Sequence, residues 1–235
     1  MRTLFITGGS HGIGLETVKQ FLAKDYKVIN LDKTTPKEAI TGNYHYVYVD
    51  LKEIDTINDA FHTAYQHTDH IDIIIFNAAY QSNMPFEAIT EAHLDEAYAV
   101  NIKSTILLTQ LFVKHHRKQH GRIIFITSTR AYMSEKDTVS YSFSKGALTS
   151  LTHSLAITLQ NKPITVNAIA PGWIHTRETE TLREKDHLFH PSNRVGIPKD
   201  IANACLYIAD ETNDFLNAET ITIDGGVTKK MMYPE

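Results

Sequence analysis

The stretch Thr3-Leu4-Phe5-Ile6-Thr7-Gly8-Gly9-Ser10-His11-Gly12-Ile13-Gly14 decides the fold. A short apolar run ends in a turn with glycine at 8, 12 and 14. Helical period follows, with Thr17, Val18, Phe21 and Leu22 on one face and Glu16, Lys19, Gln20 and Lys24 on the other. Strand, glycine turn and helix in this order open a nucleotide-binding βαβ unit. Gly8 permits the tight turn, Gly12 lets the backbone approach a pyrophosphate, and Gly14 lets helix and strand pack closely. The helix N-terminus then offers N–H donors and the positive end of its dipole to an anion. Strand-to-helix turns also use glycine for packing alone, so the turn needs support from the rest of the chain.

Outward from this turn the same alternation continues. Strands are predicted at Thr3 to Thr7, Lys27 to Leu31, Tyr44 to Val49, Ile71 to Asn77, Arg122 to Thr127, Ile164 to Ala170 and Thr220 to Ile223, separated by longer helical segments. Ile73-Ile74-Ile75-Phe76 and Ile123-Ile124-Phe125-Ile126 are apolar at consecutive positions, which a strand tolerates when both of its faces are covered. The expected fold is therefore α/β, a doubly wound (Rossmann) open parallel sheet of about seven strands with its ligand crevice at the strands' C-terminal ends. A chain of 235 residues without repeats or linkers is read as one catalytic domain over 1–235.

Composition excludes several classes. With 23 Lys+Arg against 27 Asp+Glu, the net charge is −4 and no basic stretch tracks a phosphate backbone, so nucleic acid is not an expected partner. No apolar run approaches the roughly 20 residues of a membrane helix. One cysteine, Cys205, forms no intramolecular disulfide, and Met1 leads straight into the first strand, so a cytoplasmic protein is expected. Thirteen histidines include no His-Glu-x-x-His arrangement, and no metal is expected. His115 and His116, beside Lys114, Arg117 and Lys118 at a helix C-terminus, are read as surface residues.

Two constellations carry chemistry. Val28-Ile29-Asn30-Leu31-Asp32 delivers a carboxylate at the end of the second strand, eighteen residues after Gly14, where it can accept both ribose hydroxyls of an adenosine and repel a 2′-phosphate. NAD(H) is thus preferred, with NADP(H) possible because His11 and Lys33 lie close by. Asp50, ending the third strand, is placed either to meet the adenine edge or to serve as a plain N-cap. Tyr141 and Lys145, four residues apart in a helix that runs to about Leu159, share one face. A nearby cation lowers a phenol toward acid/base use, and Ser128, closing the fifth strand, can hold a carbonyl or alcohol oxygen in the same crevice.

Over nearly its whole length the chain resembles the short-chain dehydrogenase/reductase family, in its small single-domain branch. The resemblance rests on Thr7-Gly8-x-x-x-Gly12-x-Gly14, Asn77-Ala78-Ala79, Asn101, Ser128 with Tyr141-x-x-x-Lys145, Pro171-Gly172 with Thr176, and Asp224-Gly225-Gly226. It implies that Tyr141 is the acid/base, that Ser128 polarises the reacting oxygen, and that Lys145 binds the nicotinamide ribose while lowering the tyrosine pKa. Asn101 would hold a water in the proton relay. The implied cofactor set is Gly8, Ser10, His11, Gly12, Ile13, Gly14, Asp32, Asp50, Leu51, Asn77, Ala78, Ala79, Tyr141, Lys145, Pro171, Gly172, Ile174 and Thr176. The chain departs from the family pattern before the last strand, where Asn217 stands in for a glycine and is expected to keep its left-handed turn. A homotetramer or homodimer is also implied, pairing the helices around Asn101 to Lys118 and Tyr141 to Leu159. The second of these has an apolar face (Ala147, Leu148, Leu151, Leu155, Ile157) that could equally be spent wholly on the sheet.

The resemblance puts Tyr80, Arg130, Trp173 and Arg177 at the substrate. Arg130 or Arg177 either reads an anionic substrate or pairs with a lid glutamate. The segment from about 173 to 198, crowded with Arg177, Glu178, Glu180, Arg183, Glu184, Lys185 and Asp186, is a solvated surface helix or a lid over the crevice. Its polarity favours a small polar alcohol or carbonyl over a long acyl chain. The expected activity is NAD-dependent hydride transfer by an alcohol dehydrogenase or carbonyl reductase. The rivals are an NADP(H)-linked carbonyl reductase and a catalytically silent nucleotide-binding module.

Overall fold

The computed structural model describes residues 1–117, 120–177 and 181–231. All seven expected strands form: β1 (Thr3–Thr7), β2 (Lys27–Asp32), β3 (Tyr44–Tyr48), β4 (Ile73–Phe76), β5 (Gly121–Ile126), β6 (Ile164–Pro171) and β7 (Thr220–Ile223). They pair in parallel in the order β3-β2-β1-β4-β5-β6-β7. The order reverses between β1 and β4, so their C-terminal ends diverge and open the crevice of a doubly wound sheet.

The consecutive apolar residues in the strands are explained by two layers. Phe5, Ile29, Leu31, Ile74, Ile123, Phe125 and Val166 point to one face and pack under α2 (Ile54–Ala64), α4 (Ser104–His115) and α5 (Val139–Thr158). Their neighbours Leu4, Ile6, Val28, Ile73, Ile75, Ile124 and Ile169 point to the other face, under α1 (Gly12–Leu22) and α7 (Pro198–Ala209). Each such side chain contributes about 1.5–3 kcal/mol by leaving water. Cys205 lies in the second layer, fully buried and unpaired, and burial pushes its thiol up to about 12. No helix among the described residues is long and apolar enough to cross a membrane.

Three local expectations change. His115 and His116 are half-buried: the His115 ring packs 5.2 Å from Phe61 and 5.6 Å from Tyr65, and His116 Nδ1 lies 3.2 Å from the Ile71 carbonyl. An imidazole buries most of its ring, which the charges around it conceal in the sequence; Lys118 lies outside the described residues. Before β7 the left-handed residue is Ala218 (φ 66°), because Asn217 uses its side-chain oxygen to accept from Val166 N at 2.8 Å and Ala218 N at 3.1 Å. Among its described residues the segment 173–198 holds the five-residue helix α6 (Glu184–Leu188) and a bridge between Ile174 and Gly196; Glu178 and Glu180 lie outside the described residues.

Candidate active site

The glycine turn sits where β1 and β4 part. Gly8 N donates to Leu31 O at 2.8 Å, Asn77 Nδ2 donates to Gly8 O at 2.7 Å, and Ala78 N donates to Thr7 O at 3.0 Å. Gly8 and Gly12 have φ of +69° and +55°, in the region that favours glycine. The first turn of α1 contains no carboxylate, and its N-cap residue His11 makes no side-chain cap. Its N–H groups are therefore left for an anion. In front of them lies a cleft of about 410 Å³ lined by Gly8, His11, Gly12, Ile13, Asp32, Asp50, Leu51, Asn77, Ala78, Ala79 and Thr176 of the expected cofactor set. Tyr80, expected at the substrate, lines this cleft instead, since Asn101 grips its backbone on both sides.

Asp32 is buried at the end of β2 and its carboxylate is held still. Oδ2 accepts from Ser10 N at 3.1 Å, and Oδ1 accepts from Thr34 N at 3.1 Å and Thr34 Oγ1 at 3.3 Å. A carboxylate offers about four acceptor positions, so one remains for a ligand hydroxyl. Asn30, wholly buried, underlies this arrangement: Oδ1 accepts from Gly9 N at 2.8 Å while Nδ2 donates to Ser10 Oγ and Tyr44 OH. The sequence did carry a signal for Asn30, since a buried amide in an otherwise apolar strand must find partners. Thr34, Lys33 and Glu96 also line the cleft. Lys33 Nζ is 3.9 Å from Asp50 Oδ2, so the cation expected near a 2′-phosphate already has a carboxylate beside it. These residues fit a nicotinamide dinucleotide: bare glycine backbone and open N–H groups for a pyrophosphate, and fixed carboxylates for sugar hydroxyls.

The catalytic candidates meet at the ends of β5 and α5. Ser128 follows β5 and caps a short 3₁₀ turn, Thr129–Ala131, accepting from Arg130 N at 3.2 Å. Ser128 is close enough to the Tyr141 phenol to draw its pKa down. Lys145, one helical turn on, is buried, with Nζ donating to Ile126 O at 2.7 Å and lying 5.5 Å from the Tyr141 ring centroid. Asn101 lies in a π-helical turn, Ala99–Lys103, between α3 (Glu91–Tyr98) and α4; π turns of this kind recur at functional sites. Besides Tyr80 its amide donates to Ser144 Oγ at 2.8 Å, and Ser144 in turn donates to Tyr141 O. The side chain of Asn101 thus fixes the backbone that carries Tyr141.

Burial pushes the Tyr141 phenol above its ordinary value, while Ser128 and the Arg130 charge pull it back in part. Burial weakens the Lys145 ammonium beside it as well, down to about 8. That buried ammonium has a stability consequence. Below about pH 8 the folded chain bears the full cost of ionising Lys145, and between about 8 and 10.5 the unfolded chain holds a proton that the folded chain gives up, so this contribution improves with rising pH. Lys145→Met is expected to abolish turnover yet stabilise the fold at pH 7 by about 1–2 kcal/mol, the gain from removing the charge exceeding the cost of an unpaired Ile126 carbonyl. Urea unfolding at pH 7 and pH 10.5 should show the gain fading at the higher pH.

The remaining expected residues separate. Ser10 acts through Asp32 from beneath the cleft. Pro171 ends β6, and Gly172 is pressed against Asp224, where a Cβ would come within 2.6 Å of the Asp224 Cβ. Ile174 and Trp173 line a different cavity of about 280 Å³ with Arg194, Asp200 and Asp224. Gly196 N donating to Trp173 O fixes that direction, and the Trp173 ring lies 5.9 Å from His190. Arg177 is exposed. Among the described residues Arg130 pairs with Glu135, and its guanidinium carbon lies 5.9 Å from the Tyr141 ring centroid. Among the described residues of 173–198, Arg183 pairs with Asp186 and Arg194 with Asp200 of α7, while Leu188 and Phe189 are exposed.

With this geometry in place, known proteins give the comparison. The family model described as enoyl-(acyl carrier protein) reductase matches residues 8–228. An uncharacterized oxidoreductase of Thermotoga maritima is 34% identical over 251 residues, covering 98% of this chain and 97% of that one. An apo SCOR enzyme from Clostridium thermocellum has a similar structure, with a TM-score of 0.90 at 34% identity over 99% of this chain and 95% of that chain. 4-Hydroxyisoleucine dehydrogenase complexed with NADH gives a TM-score of 0.90 at 26% identity, over 98% and 100% of the two chains. The match takes in the glycine turn, the seven-stranded sheet and the Ser128, Tyr141 and Lys145 group together. The chain belongs to the short-chain dehydrogenase/reductase family and is an oxidoreductase that transfers hydride to or from a nicotinamide cofactor.

Proposed function

We propose that this chain is an NAD(H)-dependent alcohol dehydrogenase or carbonyl reductase acting on a small polar substrate. The observation that carries the cofactor choice is the immobilised Asp32 carboxylate at the mouth of the cleft. It accepts a ribose hydroxyl and repels a phosphate on the same sugar. The NADH complex of 4-hydroxyisoleucine dehydrogenase supports the same choice.

When bound, the nicotinamide supplies or takes up the hydride. Gly8, Gly12 and the α1 N-terminus would hold the pyrophosphate, Asp32, Asp50 and the backbone around Asn77 the adenosine, and Thr176 and Lys145 the nicotinamide end. The substrate oxygen rests between Ser128 Oγ and Tyr141 OH. Tyr141 gives that oxygen a proton in reduction and removes it in oxidation, and Ser128 polarises it. Asn101 keeps Tyr141 in place through Ser144 and positions the backbone at Tyr80. Residues 1–235 form a single catalytic domain working in the cytoplasm, with 173–198 as the substrate lid. Exposed Val139, Phe143 and Ile157 on α5 support assembly into a homotetramer or homodimer, while Leu148 is spent on the sheet.

Exposed Leu188 and Phe189 favour a second reading, a reductase of acyl thioesters, in line with the description of the matching family model. The test is turnover with NADH and NADPH against small keto acids, diketones, sugar-derived carbonyls and acetoacetyl-CoA. NADH should be preferred, and Asp32→Ser should reduce the NADH:NADPH ratio of kcat/KM by at least about tenfold, the equivalent of roughly 1.4 kcal/mol of lost repulsion and hydrogen bonding. A native preference for NADPH would overturn the cofactor reading, and activity confined to the thioester would select the second.

A further inference from the structure

Ser128 and Arg130 share one turn. Arg130 N donates to Ser128 Oγ at 3.2 Å, and Ala131 N and Tyr132 N donate to the Ser128 and Thr129 carbonyls at 3.0 and 3.1 Å, so the turn is fixed by its own backbone. At its far end the Tyr132 hydroxyl is bonded to Thr222 Oγ1 of β7. The Arg130 side chain leaves this frame toward Tyr141, its guanidinium carbon 5.9 Å from the ring centroid. Two cations therefore stand at the ring, and they differ in access. Lys145 is buried, with Nζ donating to Ile126 O at 2.7 Å. The Arg130 side chain is 26% exposed, and among the described residues its carboxylate partner is Glu135, itself 68% exposed.

We propose that the substrate is a short oxo acid or hydroxy acid: its carboxylate takes the place of Glu135 on Arg130 while its carbonyl or alcohol oxygen rests between Ser128 and Tyr141. The proposal rests on the reading of Ser128 and Tyr141 as the groups that hold the reacting oxygen, and it narrows a small polar substrate to an anionic one.

The reason is one of exchange. A planar guanidinium presents paired N–H donors that match a carboxylate, and Glu135 shows that a carboxylate fits there. An ion pair this open to water contributes little, so giving it up costs little. Thr138 Oγ1 donates to Glu135 O at 2.7 Å, which fastens the Glu135 backbone and leaves only its side chain to swing away. A substrate carboxylate gains what Glu135 lacks, because Ser128 and Tyr141 hold the same molecule at its other end and one placement serves both contacts. Ser128 and Arg130 stand two residues apart on a fixed turn, so the protein sets the span between the two contacts. That span selects acids with few carbons between carbonyl and carboxylate.

The test uses the full chain, saturated with whichever of NADH and NADPH it turns over, and the oxo acids pyruvate, acetoacetate and levulinate. Each is set beside its methyl ester, which carries the same carbonyl without the charge. The readout is the ratio of kcat/KM for acid over ester. It should exceed one in at least one pair, and Arg130→Met should lower it there by at least about tenfold, the loss of a charge-assisted contact. Any effect of that substitution on Tyr141 falls on acid and ester alike and cancels in the ratio. Glu135→Gln, at an exposed position, removes the competing carboxylate and should raise the ratio about threefold. Esters preferred in all pairs, a ratio unmoved by Arg130→Met, one that falls with Arg177→Met in its place, or one that falls in Glu135→Gln would each overturn the proposal. Consumption of the esters and other neutral carbonyls with no preference for the acids would remove this inference alone. No consumption of any carbonyl would remove the reading on which it rests.

Discussion

Tyr141→Phe is expected to lower carbonyl reduction by about a thousandfold while leaving cofactor affinity within about twofold, the loss falling within the usual contribution of a placed acid/base. The substitution removes one oxygen and keeps the ring between the two cations. Ser128 loses a polar neighbour, but its hydroxyl still accepts from Arg130 N, so no buried polar atom is stranded there. Fold stability should therefore change by no more than about 1 kcal/mol. The cofactor cleft is built from the β1 turn, the β2 and β3 ends and the segment after β4, none of which touches the lost oxygen. The distinctive outcome is the split itself: binding retained, as followed by NADH fluorescence, with turnover gone.

The second large effect is at the turn. A Cβ on Gly14 would overlap the Gly8 carbonyl oxygen and come within 2.5 Å of Asn77 Nδ2, the group that bonds that same carbonyl. Neither neighbour can yield cheaply, because one is backbone and the other would give up its 2.7 Å hydrogen bond. Gly14→Ala should cost about 3 kcal/mol of stability by overpacking and loss of that bond, and weaken NADH binding by at least about a hundredfold. Gly12→Ala makes the comparison. Its Cβ meets Thr176, at 3.4 Å from Cγ2 and 3.5 Å from Cβ, which is ordinary contact, so its cost is the strain of a left-handed alanine, about 1–2 kcal/mol. Urea unfolding and fluorescence titration of the two variants should rank Gly14 well above Gly12. Equal, small effects would mean that the turn is not the place where the cofactor binds.

Much of this was legible because it depends on local pattern. Runs such as Ile73–Phe76 can be satisfied only by two covered faces, and β4 and β5 divide their side chains between the two layers as that argument requires. Tyr141 and Lys145 came together because four residues on a helix fix their relation. What stayed hidden depends on distant partners. Nothing in Phe215-Leu216-Asn217-Ala218-Glu219 reveals that Val166 N will claim the Asn217 side chain and pass the left-handed turn to Ala218. The partner of Arg130 likewise depends on how a loop returns, as does the turning of Trp173 toward His190. The charges of 173–198 signalled a polar surface, yet Arg183 and Asp186 pair with each other and Leu188 and Phe189 lie exposed beside them. The Arg122 side chain, wholly buried with Nη2 donating to the carbonyls of Asp210 and Glu211, is a further case: only the fold brings β5 to the C-terminus of α7.

The most direct test of the central claim is whether the chain moves hydride from NADH to a carbonyl at the Ser128 and Tyr141 site. The loss of NADH absorbance should be followed with the unmodified chain and with Tyr141→Phe across the same panel of carbonyls, using NADH deuterated at the transferred position. The account predicts consumption by the unmodified chain, deuterium on the carbinol carbon of the product, and near-complete loss in the variant despite intact NADH binding. Tight NADH binding with no consumption for any carbonyl, or consumption that survives in Tyr141→Phe, would contradict it.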